Sequence, residues 1–422
     1  MTENTPLGDA AWLRHGEVAR LLAALDRDGE EARVVGGAVR NTLLNLAVDE
    51  IDIATTAMPD EVVRRVTAAG WKSIPTGIEH GTVTVVIDGR PFEVTTLRRD
   101  VETYGRKAKV AFGRDWRADA ERRDFTINAL SVSAAGKVYD YVGGVADLAA
   151  HRVRFIGAPG QRIAEDFLRI LRFFRFHAWY GAGAPDAAGV HACILARSGI
   201  ETLSRERVRM ELLKLLLAPR PTPTLAVMAE TGILGMVLGG VPFLASFENM
   251  AKVEAATGRD ADAVRRLGAL NVSVKEDGKR LAQRLRLSNA EAERLMALEH
   301  WWRVTPASGD QAAHALLYHL GPQSFADQVL LAWSRSDVGA ADRVWHEFAN
   351  LPQRWTAPAF PLKAADFTAR GVVPGPGLGA ALRAAEEAWI AADFPAEQTA
   401  LQAIADRAVR ELRAAQRNLP MS

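Results

Sequence analysis

Two carboxylates, Glu50 and Asp52, stand two residues apart in an apolar run that follows the pair Gly36-Gly37 and an arginine, Arg40. Residues two apart in a strand point to one face. Acids so placed, flanked by Ile51 and Ile53, repel each other unless a positive charge lies between them. Mg²⁺ takes oxygen ligands and bridges phosphates, so these two are candidate metal ligands; the competing reading is two solvated acids on an exposed strand. A glycine pair between a strand and a helix lets backbone N–H groups approach a phosphate. Arg40, one turn into that helix, can add a charge-assisted bond to the same phosphate, although a lone glycine pair is more often just a turn. Glu93 follows an Asp88-Gly89 turn and is the candidate third carboxylate. Hairpin pairing would bring it beside Asp52, where it could act as general base on an attacking hydroxyl; a plain surface glutamate is the alternative.

A second set lies further on. Arg122, Arg123 and Asp124, with Asn128, form a dense polar cluster that could grip phosphate and sugar hydroxyls or simply start a salt-bridged helix. Glu165, Asp166, Arg169, Arg172 and Arg175 read as one helix. A spacing of three turns each side chain by about 60°, so Asp166, Arg169 and Arg172 fan over a broad face while Glu165 and Arg169 form an i,i+4 pair. Leu168, Leu171 and Phe174 would bury the other side. An acceptor beside a donor fork could read the edge of a base; an intrahelical salt-bridge ladder is the alternative. Ser204 is a good N-cap for a helix through Leu217, in which Glu206, Glu211 and Lys214 read as structural.

The elements that must position these groups follow from pattern. An amphipathic helix is expected over 9–28. Strand, glycine turn, short helix and strand follow over 33–56, then a helix over 58–70 with Pro59 in its first turn and Gly70 at its end. Strand-like segments cover 71–77 and 80–98, with Asp88-Gly89 as a hairpin signal. The polar, basic stretch 98–118 has weak periodicity and is expected to be a mobile loop, and 122–133 a loop or helix. From His151 nearly everything reads as helix rich in Ala, Leu and Arg. Residues 352–361 suit a linker, and a last helical pair (363–370 and 377–393) brackets 371–379. The fold class is α+β: a small mixed sheet flanked by helices, followed by an all-helical remainder.

At 422 residues the chain should hold two to four domains. No apolar run is long enough to span a bilayer, and the N-terminus lacks a basic-then-apolar export signal. The single cysteine, Cys193, excludes an internal disulfide or a cysteine zinc cluster. A reducing cytoplasm is the expected compartment. The formal charge of +1 is uninformative, but residues 98–123 carry nine Lys or Arg against five Asp or Glu, and Arg407, Arg410, Arg413 and Arg417 cluster near the C-terminus. Such local basic surfaces attract anionic partners or are solvated faces.

In chain order, VGGAVRNTLL (35–44), EIDIATT (50–56), HGTVTV (80–85), FEVTTLRRD (92–100), RRDFTINAL (122–130), YVGGVADL (141–148), EDFLRILRFFRF (165–176) and SRERVRMELLKLL (204–216) closely resemble the class II nucleotidyltransferases. This group holds the bacterial CCA-adding tRNA nucleotidyltransferases and the related poly(A) polymerases. The resemblance implies a nucleotidyltransferase head (1–150), a neck with a nucleotide-recognition helix (151–220), a body (221–350) and a tRNA-binding tail (351–422). It implies that Gly36, Gly37 and Arg40 bind the triphosphate, that Glu50 and Asp52 hold magnesium with Glu93 as third carboxylate, and that Arg122, Arg123 and Asp124, with Asn128 in the same cluster, contact sugar and phosphate. Asp166 and Arg169, supported by Arg172 and Arg175, would read the base of CTP or ATP, making the protein its own template. The partners implied are the tRNA 3′ acceptor end, CTP and ATP, with no DNA and no membrane.

Of the rivals, a poly(A) polymerase is disfavoured by SRERVRMELLKLL, which resembles the CCA-adding version of that helix. An enzyme adding only two cytidines is disfavoured by the full-length segment 98–118. A non-catalytic RNA-binding protein is the rival from another class. No adjacent His-Asp pair occurs, so no accessory phosphohydrolase domain is expected. Two positions depart from the family pattern: Asn41 and Glu50 stand where it usually has Asp. Glutamate is still a metal ligand, and Asn41 can still bond the local backbone.

Overall fold

The computed structural model describes residues 7–74, 77, 80–104 and 107–417, with the side chains at 99–110 and 416–417 outside that description. The helix expected over 9–28 is two pieces, α1 (Ala11–Arg14) and α2 (Glu17–Leu25), because Gly16 between them adopts φ 81°. Next come β1 (Ala32–Val35), α3 (Gly37–Leu43), β2 (Asp52–Thr55) and α4 (Pro59–Ala68). Then follow β3 (Lys72–Ile74), β4 (Thr82–Ile87) and β5 (Arg90–Thr96). Pro75 and Thr76 of the strand-like segment 71–77 lie outside the described residues. Along β4, Val83, Val85 and Ile87 are buried while their neighbours are half-exposed, the alternation of a strand with one buried face. The β4–β5 hairpin turns on Asp88 and Gly89, both at positive φ (50° and 83°), as a two-residue turn matched to strand twist requires.

The segment expected to be a mobile loop is instead an antiparallel ribbon, β6 (Arg98–Tyr104) with β7 (Lys107–Phe112), followed by α5 (Trp116–Glu121) on its Asp115 cap. A ribbon paired by backbone hydrogen bonds leaves little hydrophobic alternation to read. A 3₁₀ turn at Thr126–Asn128 leads to β8 (Ser131–Ser133) and β9 (Val138–Tyr139), which complete a seven-stranded sheet of order β3-β4-β5-β2-β1-β8-β9. Two registers matter most. β1 and β2 are antiparallel with Val35 opposite Asp52, and β2 and β5 are parallel with Asp52 opposite Glu93. Glu93 therefore reaches Asp52 across the parallel β2–β5 pair; its hairpin partner is Thr84.

Beyond the sheet come α6 (Gly144–Ala149), α7 (Pro159–Glu165), α8 (Leu168–Tyr180), α9 (Ala187–Ala196), α10 (Arg205–Leu216), α11 (Pro221–Glu230) and α12 (Ile233–Leu238). The helix expected to run unbroken through 165–175 is interrupted. α7 ends at Glu165, Asp166 is extended (φ −158°, ψ 109°) and α8 starts two residues later. Leu168, Leu171 and Phe174 are buried as expected, and Phe173 and Phe176 pack with Phe125 and Phe155 in one aromatic cluster that seats α8 against the sheet domain.

The fold is α+β, and the chain divides into two compact units. The first is residues 1–242 with 284–286. The second is helical and contains a helix over Gly309–Ser334 that kinks at Gly321-Pro322. It is tied internally by buried ion pairs: Arg265 bonds Glu254 (2.8 Å) and Asp327 (2.9 Å), and Arg266 bonds Glu254 (2.8 Å). The expected linker starts within a short helix, Leu351–Arg354, and the expected last helical pair is Ala364–Thr368 and Pro376–Ala391. Cys193 is buried and free. Among the described residues no helix is long and apolar enough to cross a membrane.

Gly144 shows how closely the first unit is packed. A Cβ there would stand 2.2 Å from the Thr126 carbonyl oxygen, in the turn that carries Asn128. Gly144→Ala should therefore destabilise this unit by about 1–3 kcal/mol, read as a lower urea midpoint of its unfolding transition.

Candidate active site

β1 is followed by Gly36, whose φ of 68° and ψ of −116° suit glycine, and whose Cβ, if present, would lie 3.5 Å from both the Arg123 guanidinium and the Asn128 carbonyl. The turn thus gathers Arg40, Arg123 and Asn128. Arg40 itself is buried. Nη1 donates to Asn128 Oδ1, Nη2 to Tyr180 Oη (2.7 Å) and to Asn41 Oδ1 (2.9 Å), and Nε to Asn41 Oδ1 (3.2 Å). Asn41 in turn donates to the Ala47 carbonyl (2.9 Å), a local backbone bond of the kind expected there. Arg40 therefore lies beside the glycine turn with its nitrogens engaged by protein, rather than pointing into solvent.

Asp52 opens β2, with Glu93 opposite it and Glu50 two residues before it; all three are exposed. Glu50 is not in the strand. Pairing on that side stops at Val35 opposite Asp52, where β1 gives way to the glycine turn, so the expectation of one shared strand face is corrected. The three acids nevertheless share a field. Crowding by protein pushes the Asp52 carboxyl above the usual carboxylate range, Glu93 and then Glu50 push it further, and Arg123 offsets part of this. An all-oxygen donor set whose negative charge Arg123 offsets only in part fits a hard divalent cation. Among the described residues no three acidic, histidine or cysteine side chains are drawn together to coordination distance.

Behind this lies a chain of arginines and acids. Asp119 holds Arg122 (2.7 Å) and Arg123 (3.2 Å). Asp124 is buried and takes two bonds from Arg172 (2.7 and 2.6 Å) and one from Asn128 Nδ2 (3.2 Å). Burial raises the Asp124 carboxyl, but Arg172, Asn128 and Arg169 together more than reverse this and hold it below the usual carboxylate range. Burial lowers the Arg172 guanidinium, and Asp124 and Glu211 more than restore it. Glu211 also pairs with Arg175 (2.5 Å). Both arginines expected to support base reading are therefore pinned.

Asp166 bonds the α8 N-terminus through the Leu168 N–H (3.1 Å) and is held by both terminal nitrogens of Arg207 (3.2 and 2.5 Å). Arg169 pairs with Glu165 and donates to the Arg162 carbonyl (2.7 Å). The broad helical face expected to carry Asp166, Arg169 and Arg172 is thus corrected: Asp166 precedes the helix and faces α10. A 380 Å³ cavity opens beside this pair, lined by Glu165, Asp166, Phe167, Thr202, Ser204 and Arg207 among others. A larger cavity of 580 Å³ is lined by Arg154, bonded to Asp147, and by Arg162, bonded to the Ile156 carbonyl and paired with Glu165 (3.2 Å). Ser204 occupies the N-cap position of α10 without a side-chain bond to the helix backbone.

Three partners were not singled out from sequence: Asp119, Arg207 and Tyr180. Asp119 lies three and four residues before Arg122 and Arg123, and Arg207 four before Glu211, spacings that place each pair on one helix face. Tyr180 carried no comparable signal. Among the described residues, Arg122, Arg123, Arg162, Arg169, Arg172, Arg175 and Arg207 share the ion pairs of Asp119, Asp124, Glu165, Asp166 and Glu211, while Arg40 is held by neutral groups. Away from the acids at Asp52, such a local excess of positive charge attracts a polyanion.

Comparison with known proteins gives this geometry a context. Residues 32–154 match the poly A polymerase head domain, and residues 191–247 match a probable RNA and SrmB-binding site of polymerase A. The chain is 32% identical over 389 residues to mitochondrial CCA tRNA nucleotidyltransferase 1 of Mus musculus, covering 89% of this chain and 86% of that protein. It is 31% identical over 409 residues to the CCA-adding enzyme of Levilactobacillus brevis, covering 92% and 96%. Its structure resembles that of the Bacillus stearothermophilus CCA-adding enzyme in complex with CTP, with a TM-score of 0.74, 26% identity, and 96% and 98% of the two chains covered.

The Asp52 shift predicts a pH effect. A carboxyl whose folded pKa is raised favours folding at low pH, and loses that contribution as pH rises through the folded value. Asp52→Asn should therefore raise the melting temperature in EDTA at pH 7, and the gain should vanish near pH 4, where unfolded aspartates take up protons. Melting curves at both pH values check this; a gain of equal size at both would contradict it.

Proposed function

Because the chain belongs to the family of CCA-adding tRNA nucleotidyltransferases, we infer that it completes tRNA 3′ ends with cytidine, cytidine and adenosine, using CTP and ATP. The reaction is attack of the RNA 3′-hydroxyl on the nucleotide α-phosphate with release of pyrophosphate. One observation carries the reading at the level of the site. An acid trio around Asp52 and an arginine-rich cluster adjoin the same glycine turn, giving a place for the reacting end of a nucleotide and a place for its polyanion.

The roles follow from that placement. Nucleotidyltransferases of this family are typically metal-dependent. Glu50 and Asp52 would hold Mg²⁺, which when bound stabilises charge on the attacking and leaving oxygens. Glu93, beside Asp52, would take the proton of the 3′-hydroxyl. Gly36 and Gly37 leave room for phosphate, with Arg40 and Arg123 as cationic partners, while Arg122, Asp124 and Asn128 hold the sugar-side wall. Asp166 and Arg169 would read the base, which takes over bonds that Arg207 and Glu165 satisfy in the free protein; Arg172 and Arg175 keep α8 in place. The head, neck, body and tail would be 1–150, 151–220, 221–350 and 351–422, with the tail contacting tRNA phosphates. The reaction needs tRNA, CTP and ATP in one compartment, a condition that the expected cytoplasm meets.

The test uses purified protein, Mg²⁺, and tRNA ending before its CCA, with CTP or ATP singly and together. Growth by two with CTP and by three with both is expected. Long adenosine tails would mark a poly(A) polymerase, and no growth a binding protein. Asp52→Ala should reduce extension at least about a thousandfold, the loss of several kcal/mol of charge stabilisation, while tRNA binding persists. Retained extension would remove Asp52 from the assigned role.

A further inference from the structure

What buries Arg40 is the last turn of α8. Its guanidinium carbon lies 4.0 Å from the Tyr180 ring centroid and 5.4 Å from that of Phe176, within the range of cation–π attraction. The Phe176 ring also carries Arg172 at 5.3 Å and Arg175 at 4.4 Å. Three like charges thus surround one ring, with Asp124 and Glu211 as counter-charges for two of them. Burial holds the Arg40 guanidinium below its usual range, Tyr180 offsets this, and Arg175 adds to it. Left to itself this arginine would move toward water.

The tyrosine opposes that movement, and it is itself anchored. The helix end is closed by Gly181 N–H to the His177 carbonyl (2.8 Å), and Trp179 Nε1 donates to the Lys214 carbonyl on α10 (3.0 Å). A Cβ at Gly181 would lie 2.2 Å from His177 Nδ1, so the chain turns away where no side chain fits. The Tyr180 hydroxyl does more than pack. It accepts from Arg40 Nη2, the nitrogen that lies 3.7 Å from where a Gly37 Cβ would stand. Together with Asn41 Oδ1, the hydroxyl therefore holds the arginine nitrogen that lies beside the glycine turn.

We propose that Tyr180 is a positioning residue for the phosphates of the incoming nucleotide, acting through Arg40 to hold a cation at the glycine turn and coupling that turn to α8. This rests on reading the turn as a nucleoside triphosphate site. Packing alone would need only the ring; phosphate positioning needs the hydroxyl.

The test compares wild type, Tyr180→Phe and Tyr180→Ala. Inorganic tripolyphosphate, which has no base or sugar, and cytidine, which has no phosphate, are titrated calorimetrically into each protein with Mg²⁺ present. KM and kcat for CTP and ATP are measured alongside. Tyr180→Phe should weaken tripolyphosphate about fivefold, as expected for one charge-assisted hydrogen bond. It should raise KM for both nucleotides to a similar extent, leaving kcat and cytidine binding within about twofold. Tyr180→Ala, which also loses the cation–π contact, should weaken tripolyphosphate more than tenfold. Unchanged tripolyphosphate affinity in Tyr180→Phe, or equal losses for tripolyphosphate and cytidine, would overturn the proposal while leaving wild-type CCA addition intact. A wild type that neither binds tripolyphosphate nor extends tRNA would overturn both readings.

Discussion

A single buried carboxylate, Asp124, holds the two halves of the site together. It takes two bonds from Arg172 on α8 and one from Asn128, whose own oxygen receives Arg40 from the helix after the glycine turn. Removing one partner of such a pair leaves an uncompensated buried charge at a cost of about 3–5 kcal/mol. The sheet domain and α8, which flanks the groups proposed to read the base, are therefore set in register by an ionic joint, reinforced by the aromatic cluster beneath it.

On either side of that joint the charges are unbalanced in opposite senses. Glu50, Asp52 and Glu93 repel one another at the edge of β2, while the arginines around Phe176 outnumber their acids. A fold optimised for stability alone would not keep like charges so close. Under the proposed function each imbalance would be relieved by part of one substrate complex: a divalent cation at the acids and a triphosphate at the arginines. Asp166 follows the same logic. Its partner here is Arg207, whose donor fork would give way to a base edge under the proposed function.

Much of this was legible in the sequence, and the failures share a cause. The strand, glycine turn and helix around Gly36, the Asp88-Gly89 hairpin and the buried face of α8 all declare themselves through local rules of periodicity and turn chemistry. The proximity of Glu93 to Asp52 was expected, but by the wrong pairing, because the parallel β2–β5 contact is not local. Glu50 was assigned to a strand because its neighbours are apolar; where the strand starts depends on where β1 ends. The break at Asp166 hid inside a helical pattern, since its carboxylate satisfies the new helix start and recruits Arg207 from α10. The β6–β7 ribbon is too polar for alternation to reveal it. Tyr180, at the end of an otherwise apolar and basic helix, gains meaning only from Arg40, 140 residues earlier.

The measurement that most directly tests the central claim is a double-mutant cycle across Asp124, with Asn128→Ser and Arg172→Lys made singly and together and CTP affinity determined for each protein. Both substitutions keep a polar or charged group, so the joint is loosened rather than removed. If Asp124 couples the phosphate turn to α8, the two effects should be non-additive by about 1 kcal/mol. Additivity within about 0.3 kcal/mol would show that the two halves bind the nucleotide independently.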